Sequence, residues 1–259
     1  RLLSMCNARH VILRDDELLK YAEDEKMRRV LIAATAAFFV LYGSTVPADP
    51  FEAGLRAMER KHYATAMRAW LGLAKEGVPQ AENNIGHLYE QGYGVSQNYS
   101  QAMTWYKKAA AGGLAEAEHN VGMLYNQGFG VKKNDSEAIK WFRKASKKKL
   151  ADSQHMLALS YYQGRGVKLS YTKSKALFLM AALQGYPPSQ FMYSYMLQAG
   201  EGAKEPDSFK ALVWSMIASK NGQKDAEDIV NIAKLMLEDE EVGEASLVVS
   251  DCIKSNYSK

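Results

Sequence analysis

The segment Gly92-Tyr93-Gly94-Val95 returns as Gly128-Phe129-Gly130-Val131, as Gly164-Arg165-Gly166-Val167 and, in weaker form, as Gly200-Glu201-Gly202-Ala203, each copy 36 residues after the last. A fixed period of about 20 to 50 residues is the signature of a repeat array rather than of an enzyme core folded around one centre. The period also governs what lies between the glycines. Trp105-Tyr106-Lys107-Lys108-Ala109-Ala110 recurs as Trp141 to Ser146 and as Leu177 to Ala182, while a fourth copy, Trp214 to Ser219, comes one residue late after the longer loop Ala203-Lys204-Glu205-Pro206. Ala69 to Ala74 is the same segment of an earlier unit. Gly86, Gly122, Ala158 and Ser194 share one position that stays small, as a close helix crossing requires.

Each unit reads as two helices. Ala81, Ile85, Leu88 and Tyr89 mark one face of a helical period. That helix stops at Gly92, where a left-handed cap penalises a Cβ. The second helix starts at Asn98, Asn134, Ser170 or Asp207, residue types whose side chains accept from free N–H groups at an N-cap. It carries Ala102 and Trp105 inward, and truncating Trp105 to Ala is expected to cost about 3 to 5 kcal/mol. The units end near Gly77, Gly113, Gly185 and Gly222, with Lys149 in the glycine position of the third and therefore strained. Two helices and two turns fill the period, and no strand is needed.

These residues resemble the Sel-one-like repeat family, a branch of the tetratricopeptide-repeat superfamily. Its pattern, an Ala-x-x-x-Leu-Gly-x-x-Tyr helix, then Gly-x-Gly-Val and Ala-x-x-Trp-Tyr-x-x-Ala-Ala, follows Ala81 to Ala110 and Ala117 to Ser146, and loosens where Leu177 stands for the Trp. The resemblance spans Phe51 to Lys234. It implies an all-α, right-handed α/α superhelical solenoid and a scaffold that holds partner proteins together, with no catalytic residue and no cofactor. The expected repeats lie near 51–77, 78–113, 114–149, 150–185 and 186–222, about five in number, with a C-terminal cap over 223–259. The cap opens at the acidic run Glu238 to Glu241 and carries Leu247, Val248, Cys252 and Ile253 inward.

Met27-Arg28-Arg29, the apolar run Val30 to Tyr42 and Val46-Pro47-Ala48 have the three regions of a secretory signal peptide. Cleavage after Ala48 would make residues 49–259 the mature chain, periplasmic or secreted, and residues 1–26 upstream sequence or an extension. Residues 1–48 hold 7 of the 33 basic and 6 of the 29 acidic residues, leaving a net charge of +3 on 49–259, too mild to indicate nucleic acid. The glycine loops close helices instead of opening them, which argues against a phosphate cradle. His119 and His155 share a repeat position, but units stand about 8 to 10 Å apart and zinc needs ligands near 2 Å, so no metal is expected. No spacing sets a nucleophile against a base.

Two surfaces carry the functional expectation. Opposite the core face, the first helices place Asn83, His87 and Glu90, then His119, Met123 and Asn126, then His155, Leu159 and Tyr162, then Phe191, Tyr195 and Gln198. In the family's architecture this row lines the concave groove. It turns aromatic and apolar towards its end, the residue types that dominate binding energy. The second helices carry Lys107, Lys108, Lys140, Arg143, Lys144, Lys147, Lys148 and Lys149, a possible patch for an anionic envelope polymer. The function expected is a non-catalytic adaptor of the cell envelope that docks a partner peptide or helix in the groove. The alternatives are a wall-associated enzyme or polymer-binding factor, and a secreted host-contact factor.

Overall fold

The computed structural model describes residues 49–255; the leader expected at 27–48 and the segment before it lie outside them. The described residues form twelve helices and no strand. They are α1 Pro50–Glu59, α2 Tyr63–Lys75, α3 Pro79–Gln91, α4 Tyr99–Ala111, α5 Ala115–Gln127, α6 Asp135–Lys147, α7 Ala151–Gln163, α8 Tyr171–Ala182, α9 Pro187–Gln198, α10 Ser208–Lys220, α11 Ala226–Lys234 and α12 Asp239–Lys254. Consecutive helices pack in pairs and each pair packs on the next, the α/α solenoid that the period demands. None of the described helices is long and apolar enough to cross a membrane.

Local chemistry sets the ends. The side chains of Asn98, Asn134, Ser170 and Asp207 accept from the backbone N–H three residues on, at 3.0, 3.0, 3.3 and 2.9 Å. The same four residues donate backwards across the loop, Asn98 to the Tyr89 carbonyl at 2.8 Å and Asp207 to that of Leu197 at 3.0 Å. Asp207 reaches one residue further back than Asn98 does, so the longer fourth loop is absorbed without disturbing the helix start.

The two glycines of each loop do different work. Gly92 caps α3 in the left-handed conformation, φ 73°. Gly94 is where neighbouring units touch, because a Cβ there would lie 2.7 Å from Tyr63, and at Gly130 it would lie 2.6 Å from the Tyr99 backbone. Lys149 adopts φ 67°, the strained conformation expected of it.

The small position within each first helix is filled by an aromatic ring from the second. A Cβ on Gly86 would stand 2.7 Å from Tyr106, and one on Gly122 2.6 Å from Phe142. Tyr106, Phe142 and Phe178 are fully buried, and so they, not Trp105, fill the core. Trp105 and Trp141 are only partly buried, with Lys108 and Lys144 over their rings at 4.2 and 4.0 Å. The array opens on α1 and α2, where Trp70 fits against Gly54. It closes on α11 and α12, whose buried face is Ala245, Val249 and Cys252, joined in the cluster by Ile229, Val230 and Ala233 of α11. Leu247 and Ile253, expected inside, are exposed. Glu238 and Glu241 form a reciprocal capping box at the start of α12.

Candidate binding groove on the first helices

The row expected to line the groove divides by position. Its first residues are occupied between repeats. Asn83 accepts from Asn120 Nδ2 at 3.0 Å, His119 Nδ1 meets Ser153 Oγ at 2.9 Å, and His155 Nδ1 meets Ser189 Oγ at 2.8 Å. The aligned Phe191 packs against the C-terminal core. Burial lowers the imidazole pKa of both histidines, that of His155 to about 4, with the nearby Asp152 charge opposing.

These pairs correct one expectation, since a serine does lie against a histidine in two places. The serines are fully buried, however, and a substrate has no access to either. The pairs act as staples between neighbouring units. They escaped sequence reasoning because each joins residues 34 apart, one from each of two repeats.

The second and third positions vary along the array. His87 stands edge-on to Tyr93 with centroids 6.0 Å apart, and Glu90 accepts the Tyr106 hydroxyl at 2.5 Å. Asn126 donates to Asp135 at 3.3 Å. Met123 and Leu159 are partly buried and lie against the core clusters. Tyr162 lies partly buried against the C-terminal core and donates to Glu201 at 3.3 Å. Tyr195 differs from all of these, for 41% of its surface is open. Gln198, near the end of α9, keeps a buried Oε1 without a partner.

On the other surface every member of the basic set is exposed. Most are nonetheless engaged. Lys107 donates to the Tyr125 hydroxyl at 3.3 Å, Arg143 to that of Tyr161 at 3.1 Å, and Lys140 to Glu137 at 2.8 Å. Lys148 reaches back within its own unit to the buried Glu118 at 2.9 Å, and to the Gly113 carbonyl at the end of the preceding unit at 2.7 Å. Lys147 and Lys149 share this exposed surface with them.

A family model described as Sel1 repeat matches residues 79–114, 115–150, 151–186 and 187–222, one helix pair each. The chain belongs to the Sel1 repeat family. Sel1-repeat proteins are generally protein-interaction scaffolds and typically non-catalytic. The solenoid is similar to the crystal structure of a protective antigen present in uropathogenic Escherichia coli strains and displaying an SLR fold. The two share 28% identity and a TM-score of 0.72 over 80% of this chain and 45% of that one. It is also similar to a Sel1 repeat protein from Oxalobacter formigenes, with 28% identity and a TM-score of 0.62 over 81% of this chain and 78% of that one. The present chain thus spans less than half the length of the first of these. No curated protein matches the sequence.

Proposed function

We propose that this Sel1-repeat solenoid is a non-catalytic adaptor that seats a partner peptide or helix along its first helices, with Tyr195 as the principal anchor. The observation that carries the reading is the exposure of Tyr195 beside neighbours already used by the fold. The aligned Met123 and Leu159 are partly covered, while Tyr195 leaves 41% of its surface in water. Exposed aromatic side chains are among the residue types that dominate binding energy and are costly to leave in water. Phe191, by contrast, belongs to the core, so its truncation would test folding and not binding.

The envelope location of this adaptor is part of the proposal and is supported by the basic, apolar and small-residue regions of residues 27–48. Cross-linking in the exporting host, with identification of captured proteins, compares the native chain with Tyr195→Ala. The expected result is loss of a partner by the variant with an unchanged melting temperature. Equal capture by both chains would refute the groove and move attention to the lysine-bearing face. Capture only by chains retained in the cytoplasm would refute the envelope location.

A further inference from the structure

The residue between the two loop glycines shares a register with the first residue of the preceding second helix, and these pairs form a row along the solenoid. Tyr93 stacks on Tyr63 with ring centroids 4.6 Å apart, and Phe129 on Tyr99 at 4.7 Å. The next pair in register is Arg165 with Asp135, of opposite charge. The last is Glu201 with Tyr171, and there the complementarity ends.

Glu201 is partly buried, and one of its carboxylate oxygens accepts the Tyr162 hydroxyl at 3.3 Å. The other, Oε2, is buried with no hydrogen-bond partner, as is the Oε1 of Gln198 one turn earlier. Among the described residues, no lysine, arginine or histidine forms an ion pair with Glu201. The carboxylate lies beside an aromatic pair, through its contact with the Tyr162 hydroxyl. The rings of Tyr162 and Tyr171 lie 5.4 Å apart at 56°, and Tyr195 nearby on α9 is exposed. A carboxylate taken out of water without a cation partner is costly. The corner supplies negative charge, acceptor oxygens and ring faces, and it lacks a cation.

We infer that this corner receives an arginine side chain of the peptide seated in the groove, an assignment that rests on the adaptor reading above. A guanidinium brings several N–H donors in one plane, keeps its charge at any physiological pH and stacks on aromatic faces. Entering beside the exposed Tyr195, it donates to the unpartnered oxygens of Glu201 and Gln198. An ammonium matches the charge but neither the fork nor the plane. The preference is therefore for arginine over lysine, and for either over a neutral side chain.

The test uses the full chain and three blocked tripeptides, Ala-Arg-Ala, Ala-Lys-Ala and Ala-citrulline-Ala, with binding followed by the amide shifts of Gln198 and Glu201. Citrulline keeps the planar side chain and drops the charge. The arginine peptide is expected to bind at least about tenfold more tightly than the citrulline peptide, and Glu201→Gln is expected to remove about tenfold to a hundredfold of that affinity. The variant should melt no lower than the native chain, because it discards a partly buried carboxylate charge that has no cation partner and keeps an oxygen to accept from Tyr162. Equal affinity for arginine and citrulline, equal affinity for arginine and lysine, or an arginine affinity untouched by Glu201→Gln would each overturn the assignment. Partner capture lost in Tyr195→Ala but intact in Glu201→Gln would leave the groove standing and remove the arginine site. Arginine binding at Glu201 without any captured partner would instead count against the groove.

Discussion

Gly72 and Gly86 both lie inside helices, yet a methyl group would meet opposite surroundings at the two. Around Gly72 there is nothing within 4 Å, so Gly72→Ala is expected to add up to about 1 kcal/mol through helix propensity alone. At Gly86 the new Cβ would stand 2.7 Å from the Tyr106 ring, and Gly86→Ala is expected to lose about 1 to 3 kcal/mol. Urea midpoints of the two variants should move in opposite directions. The same contact decides which aromatic matters: Tyr106→Ala should cost about 3 to 5 kcal/mol, and the half-open Trp105→Ala clearly less. Lys149, at φ 67° where Gly113 and Gly185 occupy the aligned positions, carries a strain that Lys149→Gly should relieve. A gain of about 1 kcal/mol, read as about 2 to 4 °C in melting temperature, is the expected outcome.

Helices α5, α7 and α9 are stapled in sequence by His119–Ser153 and His155–Ser189. His155 titrates at about 4 in the fold and near 6.5 in an unfolded chain. Its folded pKa is thus the lower, so the unfolded state binds the proton first as pH falls. The stability that neutral His155 supports is complete above about pH 7 and is lost progressively between about 6.5 and 4, on the order of 2 to 3 kcal/mol in all. Asp152 and Tyr186 are the titratable neighbours, and the Asp152 charge works against the shift. Thermal melts at pH 7 and 4.5 should differ by less in His155→Gln than in the native chain. Within unit 114–149, Lys148 ties the end of α6 back to the start of α5. Removing it leaves the buried Glu118 without a cation, so Lys148→Ala should cost about 2 kcal/mol while Lys147→Ala changes little.

The helix ends were legible in the sequence because Asn98 or Gly92 acts on backbone within three or four residues. The small row from Gly86 to Ser194 likewise announced a close crossing. Which aromatic fills that crossing was not legible, since Trp105 and Tyr106 differ by one helical step and only the packed neighbour chooses between them. The staples were hidden for a related reason, as their partners sit in different repeats. Helix α11 has no glycine-bounded period to mark it, and the buried stripe of α12 follows Ala245, Val249 and Cys252 instead of its largest residues.

For the whole solenoid, stability is a sum of unit terms and nearest-neighbour interfaces, so the staples belong to the interfaces and not to the units. That makes repeats which look alike unequal as building parts. Unit 150–185 holds both Ser153, which receives the histidine before it, and His155, which reaches the serine after it. A tandem copy of it would set His155 against a second Ser153 and extend the array with its stitching intact. Unit 114–149 holds His119 but has Ala117 where the serine should be, so its tandem copy would bury an imidazole with no partner. Inserted copies of the two units should accordingly part company in a melt, the first holding the native transition and the second lowering it. The chain can lengthen at one joint and not at the other. A difference of one oxygen atom per unit, between Ser153 and Ala117, thus gives the array a direction in which it can grow.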